Sequence, residues 1–231
     1  MIYKSYNKNI NKDYCQILMV SMIKLAYCNV DNLDLKKAYE LLPEIRKDKV
    51  DHFRFEKDKK LSCGAYLLLE KLLSEVGITN PSFKLGKYGK AYISNFEDIH
   101  FNMSHSGKMV ACAISDTEVG VDIELIDPKI DLNIAKNYFF NSEYENIMKS
   151  KNPSDEFFKY WVLKESYMKY TGLGFNLNLD DFEIIINDKI SLKNDNNNLY
   201  FGLFEIDGYK LAVCSKKNVE FVFRYVENQI F

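Results

Sequence analysis

The sequence predicts an α+β fold in which small antiparallel sheets are covered by helices. Each half of the chain carries a helical pattern followed by short strands that are joined by turns. Residues 107–113 also resemble residues 208–214 in apolar rhythm, which indicates an internal duplication, although any two apolar strands after a glycine look alike. If the halves pack as two lobes, the cleft between them is the natural place for a ligand.

In the first half, a helix is predicted over residues 58–76. Leucines and an alanine recur there at three- and four-residue steps, and Gly77 follows the last turn. A basic stretch, residues 41–55, precedes this helix, and short extended pieces follow at residues 83–84 and 91–93. Alternating apolar and β-branched residues then predict three strands, at residues 99–103, 109–115 and 119–125.

In the second half, three helices precede the strands. The first is predicted around residues 134–139, where apolar residues lie on one face, and the second over residues 142–149. A third, longer helix begins at a cap formed by Ser154 or Asp155 and ends at Thr171, before Gly172. Four antiparallel strands follow, at residues 182–186, 199–205, 209–215 and 220–225.

Composition excludes several classes of protein. The 231 residues can form one large domain or two modest ones, and a net charge of −2 with a pI of about 6.0 provides no broad basic surface for nucleic acid or a membrane. The five cysteines contain no Cys-x-x-Cys pair and mostly lie in apolar runs, which predicts reduced core thiols. Residues 1–9 lack the apolar stretch of a signal peptide, so the expected location is the cytoplasm.

Asp122 and Glu124 are separated by one residue on a predicted strand and therefore point to the same side. Mg²⁺ prefers oxygen ligands and is usually held by one or two carboxylates together with substrate phosphates, so this pair suits half of a magnesium site. The alternative explanation is an ordinary polar face of an edge strand. Val121 and Ile123 mark the opposite face as buried, which places the carboxylates at the rim of a core.

Glu165 and Lys169 lie one turn apart on the long helix and share a face. As a surface ion pair they would contribute only a few tenths of a kcal/mol. The neighbouring Trp161 and Met168 predict that this helix is well buried, so its charged groups need partners. A metal ion and a phosphate are partners of the required charge.

His105 follows a predicted strand and lies between Ser104 and Ser106, with Gly107 behind it. We interpret this segment as a turn in which hydroxyls and an imidazole approach one anion. A structural or merely exposed histidine is the alternative. A serine hydrolase would need a Gly-x-Ser-x-Gly elbow or an equivalent arrangement, and the sequence offers no such elbow, so phosphate binding is favoured.

Three segments together carry a resemblance to a known family. The segments are Phe-Asn-Met-Ser-His-Ser-Gly at 101–107, Gly-Val-Asp-Ile-Glu at 120–124 and Trp-Val-Leu-Lys-Glu-Ser-Tyr-Met-Lys at 161–169. In this order they resemble the signature of 4'-phosphopantetheinyl transferases of the larger, surfactin-synthetase-activating type, over residues 46–175. The resemblance implies two pseudo-symmetric α+β lobes, here residues 1–118 and 119–231, with coenzyme A and Mg²⁺ between them.

The resemblance also implies roles for individual residues. Magnesium would be held by Asp122, Glu124 and Glu165, and Glu165 is also the candidate base. The phosphates of coenzyme A would be bound by Lys169 and His105, with Ser104 helping to position them. Further coenzyme A contacts implied by the resemblance are Arg46 and Lys49, more loosely Lys60 and Ser62, and the backbone of Gly89 and Lys90, where Ala91 replaces the usual proline. Glu143 matches an acidic position with a supporting role.

The implied reaction is attack by a carrier-protein serine on the β-phosphate of coenzyme A, which releases adenosine 3',5'-bisphosphate. The expected partners are an acyl or peptidyl carrier protein and coenzyme A, with no nucleic acid and no membrane, and the expected state is a monomer. Two alternatives stay open. One is a magnesium nuclease or phosphodiesterase that uses the same carboxylates, and the other is a non-catalytic module that binds coenzyme A or a carrier protein.

Overall fold

The computed structural model of the chain describes residues 22–195, 198–216 and 220–226, and for residues 22, 175 and 220–224 it describes the backbone alone. The described part of the first half contains five strands and three helices. In chain order they are β1 (Met22–Asn29), α1 (Leu35–Glu40), α2 (Glu44–Asp51), α3 (Glu56–Glu75), β2 (Phe83–Leu85), β3 (Ala91–Ile93), β4 (His100–Ser106) and β5 (Met109–Ser115).

The second half of the described chain begins at the strand that carries the two carboxylates. Its elements are β6 (Val119–Leu125), α4 (Asn133–Tyr138), α5 (Asn141–Lys149), α6 (Pro153–Thr171), a 3₁₀ turn (Gly174–Asn176), β7 (Ile184–Ile186), β8 (Ile190–Leu192), β9 (Tyr200–Ile206), β10 (Tyr209–Ser215) and β11 (Glu220–Tyr225). No helix of the described residues is both long and apolar enough to cross a membrane.

The two halves repeat one topology. In the first, β1 pairs antiparallel with β5 of the β4–β5 hairpin, and in the second, β6 pairs antiparallel with β10 of the β9–β10 hairpin. The α+β fold with small antiparallel sheets and packed helices is confirmed. Strand β11 is the exception to the repeat, because it pairs in parallel with β1 and so adds to the sheet of the first half. The division of the chain at residue 118 stays a prediction.

The two larger sheets, β11-β1-β5-β4 and β6-β10-β9, are each packed on both faces. Helix α3 packs on one face of the first sheet through residues such as Leu68 and Leu72, and α6 packs on one face of the second through Leu163. The remaining two faces pack on each other, where Leu25 and Ala111 of the first sheet meet Val121 of the second. The four described cysteines are buried and free, as predicted: Cys28, Cys63, Cys112 and Cys214. Cys15 lies outside the described residues.

Most of the predicted elements are confirmed with small shifts at their ends, and three predictions are wrong. Residues 220–225 are predicted to pair antiparallel, but they form β11, which is parallel to β1. The cap of α6 is Asn152, whose Oδ1 accepts from the Asp155 N–H at 3.3 Å, with Pro153 as the first helical residue. His105 does not follow a strand. It lies within β4, which pairs with β5 through to Ser106, so the predicted Ser-His-Ser turn is extended structure.

Gly120 allows α6 to lie directly on β6. A Cβ atom at this position would collide with the carbonyl oxygen of Ser166 and the amide nitrogen of Tyr170, both of which belong to the helix backbone. Backbone atoms of a packed helix cannot move aside as the end of a flexible side chain can. The absent side chain therefore sets the distance between the strand that carries Asp122 and the helix that carries Lys169.

We expect Gly120→Ala to lower the free energy of unfolding by about 2 kcal/mol or more, because an added methyl group overpacks the helix–strand contact. Urea unfolding followed by circular dichroism measures this loss. The control is Gly208→Ala, where φ is +82° but no atom lies within 4 Å of the added Cβ, so only the left-handed conformation costs energy, about 1 kcal/mol. An equal or smaller loss for Gly120→Ala would contradict the close contact.

Candidate active site

The site forms where edge strand β4 crosses β6, although these two strands share no backbone ladder. Side chains from alternate positions of β4 bridge the gap. Asn102 Oδ1 accepts from the Val121 N–H at 3.0 Å, and Ser104 Oγ donates to Asp122 Oδ1 at 2.8 Å. Side chains two residues apart on a strand share a face, so one polar row of β4 faces the carboxylates of β6.

Asp122 is the centre of the cluster. It is 2% exposed, and its Oδ1 accepts from Lys169 Nζ at 2.7 Å as well as from Ser104. Lys169 Nζ also donates to Ser104 Oγ at 2.8 Å. The structure therefore brings together three of the predicted site residues, Ser104, Asp122 and Lys169. The second oxygen of Asp122, Oδ2, is buried and has no hydrogen-bond partner among the described residues.

Glu124 and Glu165 are half-buried beside Asp122, and their pKa values are raised. The main cause for both carboxyls is loss of solvent, and the negative charge of Asp122 adds to it. The charge of Glu165 also raises the pKa of Glu124, whereas Lys169 lowers the pKa of both. Three carboxyl groups thus repel one another around a single ammonium group, and together they attract a cation.

His105 faces away from Asp122, because it alternates with Ser104 and Ser106 along β4, and it is exposed. Its pKa is lowered, first by partial loss of solvent and then by the positive charges of Lys169 and Lys49. An anion bound near these groups would reverse that effect. The imidazole and the two hydroxyls do not converge on one point. However, the positive charges of Lys169 and Lys49, which are both predicted to bind phosphate, act on His105.

Arg46 of α2 reaches Ser62 of α3, with Nη2 lying 3.4 Å from the Ser62 carbonyl oxygen and 3.5 Å from Oγ. Its guanidinium carbon lies 5.1 Å from the ring centroid of Tyr66. Loss of solvent lowers the pKa of both Arg46 and Lys49, and the charge of Arg46 lowers that of Lys49 further. Arg46 Nε is buried without a hydrogen-bond partner in the described chain. Arg46 and Lys49 form a basic patch, and its positive charges favour binding of an anion.

Lys60 does not join the basic patch. Two residues along a helix are about 200° apart around its axis, so Lys60 and Ser62 of α3 point to different sides. Lys60 Nζ donates to the Asp31 carbonyl oxygen at 3.0 Å and lies 3.4 Å from a carboxylate oxygen of Glu56. A coenzyme A contact by Lys60 stays a prediction that the structure does not favour.

Lys90 ties the β2–β3 hairpin to the second half of the chain. Its ammonium lies 2.5 Å from a carboxylate oxygen of Glu118 and donates to the carbonyl oxygens of Val119 at 3.3 Å and Tyr170 at 3.0 Å. With three protein acceptors, the ammonium is not free for a phosphate. Gly89 is exposed with φ +86°, and its N–H donates to the Gly86 carbonyl oxygen at 3.0 Å.

Glu143 has a structural position. It is buried with Lys164, and Glu143 Oε2 lies 2.9 Å from Lys164 Nζ. Glu143 also accepts from the Ile184 N–H at 2.6 Å and the Phe140 N–H at 2.9 Å. These bonds join α5, α6 and β7, which fixes the helix that carries Glu165 and Lys169.

The carboxylates fit a divalent cation by their chemistry rather than by a preformed cage. No group of three or more His, Cys, Asp or Glu side chains is arranged to hold a metal ion in the described part of the chain. However, Asp122 Oδ2 is a buried oxygen without a partner, and Glu124 and Glu165 carry raised pKa values beside it. Carboxylate oxygens are the ligands that Mg²⁺ prefers.

Sequence reasoning gave no role to Asn102 or Tyr209, and it placed the Ser106 hydroxyl on an anion rather than on Glu124. Ser106 Oγ donates to Glu124 Oε2 at 2.6 Å, and the Lys108 N–H donates to Tyr209 Oη at 3.1 Å. Asn102, Ser104 and Ser106 alternate along the sequence, and this period of two is the signal that reveals a shared polar face. Tyr209 carries no comparable signal, because its contact joins distant parts of the chain.

The fold and the site together define an enzyme class that acts on phosphate groups, with a carboxylate cluster and a basic patch on a duplicated α+β scaffold. Comparison with known families identifies it. Residues 118–214 match the 4'-phosphopantetheinyl transferase superfamily, and residues 30–117 match the family described as 4'-phosphopantetheinyl transferase, N-terminal.

Individual relatives cover most of the chain. The 4'-phosphopantetheinyl transferase Sfp of Bacillus subtilis (strain 168) is 33% identical over 180 residues, which are 74% of this chain and 80% of the relative. The 4'-phosphopantetheinyl transferase gsp of Aneurinibacillus migulanus is 34% identical over 207 residues, which are 84% and 86% of the two chains. The chain belongs to the 4'-phosphopantetheinyl transferase superfamily, whose enzymes transfer phosphopantetheine from coenzyme A to carrier proteins.

Glu118 gives a pH-dependent test of the Lys90 tie. A hydrogen bond with His100 and the ion pair with Lys90 lower the pKa of Glu118 to about 2. The folded-state pKa lies below the unfolded value of about 4.3, so this stabilisation is complete above that value and is lost as the pH falls to about 2.

We therefore expect Glu118→Gln to lower the free energy of unfolding at pH 7 by about 0.5–1 kcal/mol, since the carboxylate is half-exposed and its charge is partly screened. The difference from wild type should vanish towards pH 2, as measured by urea unfolding at several pH values. Glu97→Gln, which changes an exposed carboxylate, serves as the control. A difference that persists unchanged to pH 2 would contradict the ion-pair explanation.

Proposed function

We propose that this enzyme transfers 4'-phosphopantetheine from coenzyme A to a serine of an acyl or peptidyl carrier protein, with Mg²⁺ bound by Asp122, Glu124 and Glu165. The observation that carries the proposal is the bridging position of Lys169. It binds Asp122 at 2.7 Å within the carboxylate cluster, and its charge also acts on His105 beside the basic patch. A diphosphate with a divalent cation matches both neighbouring charge patterns.

Coenzyme A would be held mainly by positive groups of the first half. Arg46 and Lys49 suit its 3'-phosphate or diphosphate, because loss of solvent lowers the pKa of both cations and the charge of Arg46 lowers that of Lys49 further. His105 and Lys169 would bind the diphosphate at the boundary between the two sheets. The exposed backbone at Gly89 would contact the adenine side of the ligand.

When bound, Mg²⁺ would supply neutralisation of the charge that develops on the transferring phosphate. Lys169 adds a fixed positive charge at the same place, because Asp122 and Ser104 hold its ammonium. Phosphoryl transfer requires positioning and charge neutralisation more than covalent catalysis by the protein. The residues present meet that requirement.

Glu165 is the proposed general base. Its side chain is half-buried on the helix that also carries Lys169, and the family resemblance assigns it this role. It would take the proton of the carrier serine as the serine oxygen forms a bond to the β-phosphorus. The bond from that phosphorus to the bridging oxygen breaks, and adenosine 3',5'-bisphosphate leaves. We also propose that the enzyme acts as a cytoplasmic monomer, which the family resemblance supports.

Transfer is tested by intact mass spectrometry of an apo carrier protein incubated with the enzyme, coenzyme A and Mg²⁺, beside a sample that contains EDTA. Wild type should add one phosphopantetheine only when Mg²⁺ is free. We expect Glu165→Gln and Lys169→Met to slow transfer by about 100-fold or more, since they remove the base and a transition-state charge.

The matched controls for these variants are Glu156→Gln and Lys159→Met. They lie on the same helix, where their side chains form an ion pair of 2.8 Å with each other, and transfer should stay near the wild-type rate. Wild-type rates for Glu165→Gln would exclude it as the base. If wild type modifies no carrier protein yet still binds coenzyme A, the non-catalytic binding module is the correct interpretation.

The basic patch is tested by calorimetric titration with coenzyme A and with 3'-dephospho-coenzyme A. Because a charge-assisted hydrogen bond to the 3'-phosphate strengthens binding, the wild-type affinity for coenzyme A should be about tenfold higher than that for 3'-dephospho-coenzyme A. We expect Lys49→Ala to reduce this preference. Lys47→Ala is the control, because its ammonium pairs with Glu44 at 2.9 Å on the same helix. An unchanged preference in Lys49→Ala would remove Lys49 from the proposed phosphate contacts.

A further inference from the structure

Ser106 uses one hydroxyl group for two bonds to the strand that carries the carboxylates. Its Oγ donates to Glu124 Oε2 at 2.6 Å and accepts from the Leu125 N–H at 3.2 Å. Both partners belong to β6, whereas Ser106 ends β4. The hydroxyl therefore fixes the orientation of the Glu124 side chain relative to its own backbone.

We propose that Ser106 is a positioning residue for Glu124, which it holds in the orientation that binds a divalent cation beside Asp122. The inference rests on the proposed function, because it takes Glu124 as a ligand of that cation. Hydrogen-bonded partners of metal-binding carboxylates typically contribute 10–100-fold to metal affinity. Ser106 is such a partner.

Glu124 needs this restraint because its neighbours repel it. The carboxylates of Asp122 and Glu165 both act against its charge, whereas the hydrogen bond from Ser106 and the ammonium of Lys169, which is bound to Asp122, act in its favour. Glu124 is half-buried near the end of β6, next to the exposed Leu125. Without a donor at Ser106, mutual repulsion would favour rotation of the carboxylate towards solvent.

The turn after Ser106 is itself fixed by the second sheet. Tyr209 is buried, lies opposite Leu125 in the β6–β10 ladder, and accepts from the Lys108 N–H at 3.1 Å. Gly107 has φ +59°, and a Cβ atom there would collide with the Tyr209 hydroxyl. Tyr209 thus connects the β4–β5 turn to the same end of β6 that Ser106 contacts, so Ser106 has little freedom to move away from Glu124.

The test is a titration of the full-length protein, saturated with coenzyme A, with Mn²⁺ as a paramagnetic probe followed by electron paramagnetic resonance. This readout needs no transfer reaction. We expect Ser106→Ala to weaken Mn²⁺ binding by about tenfold. Ser106→Thr keeps the hydroxyl and should bind within about twofold of wild type.

Ser94→Ala is the matched control. It also removes a serine hydroxyl that donates a hydrogen bond, but the acceptor is the Ser82 backbone carbonyl at 3.1 Å, beside the β2–β3 hairpin rather than β6. Its Mn²⁺ affinity should equal that of wild type. In the transfer assay, Ser106→Ala should need about tenfold more Mg²⁺ for half-maximal rate and should recover most of its rate at saturating Mg²⁺.

Tyr209→Phe is a second, milder variant that leaves the Ser106–Glu124 hydrogen bond in place. Its control is Tyr39→Phe, because the Tyr39 hydroxyl donates to Asp51 at 2.8 Å, far from the carboxylates of β6. We expect Tyr209→Phe to weaken Mn²⁺ binding less than Ser106→Ala, and Tyr39→Phe to have no effect. If Ser106→Ala does not fold, as judged by circular dichroism, Tyr209→Phe decides, and wild-type affinity there overturns the inference.

The outcomes separate the inference from the proposed function. If Glu124→Ala weakens Mn²⁺ binding but Ser106→Ala does not, the positioning role of Ser106 is wrong while the proposed function stands. If Mn²⁺ affinity is reduced in Ser106→Ala and equally reduced in Ser106→Thr, the hydroxyl is not what Glu124 requires, and the inference is again wrong. Wild-type affinity in Glu124→Ala removes the metal role of Glu124 and the inference with it.

Discussion

The site depends on the contact at Asp122 Oδ1, where β4, β6 and α6 meet through Ser104, Asp122 and Lys169. A buried carboxylate is costly unless it is paired and hydrogen-bonded. The two donors that satisfy it come from different elements, so the same bonds that make burial of Asp122 tolerable also bring those elements together. Gly120 makes this possible, because it lets the helix backbone approach the strand.

The free protein keeps two groups of like charge close together. Carboxyl groups around Asp122 repel one another, and the cations around Arg46 and Lys49 do the same. A ligand of opposite charge would relieve the repulsion in each arrangement. A substrate whose phosphates bind the cations, together with a divalent cation that binds the carboxylates, would relieve both repulsions. The charges of the free site are therefore arranged for a ligand rather than for each other.

Apolar periodicity predicted α3, α6 and several strands well, because each of these elements has a clear pattern of buried positions. It missed β1, whose buried residues serve both faces: Leu25 packs between the sheets and Ala26 packs under α3. The alternation of that strand is therefore blurred in the sequence. The prediction for β4 stopped too early because Ser104 and Ser106 are polar, although both are paired with β5.

The carboxylates and lysines of the site were visible as spaced motifs, but their partners were not. The crossing of β4 and β6 is held by side chains rather than by a ladder, and no periodic signal reports such a contact. For Lys60, helical geometry already separates it from Ser62, and the family resemblance alone had grouped the two.

The parallel pairing of β11 with β1 has a consequence for synthesis of the chain. These strands come from opposite ends of the described residues, so the first sheet cannot acquire β11 until all the other described strands have been synthesised. Until then one edge of β1 stays open to other strands. Closure is a long-range step, which is slow and occurs late in folding. Of the described strands, the one that is synthesised last therefore completes the sheet to which the first one belongs.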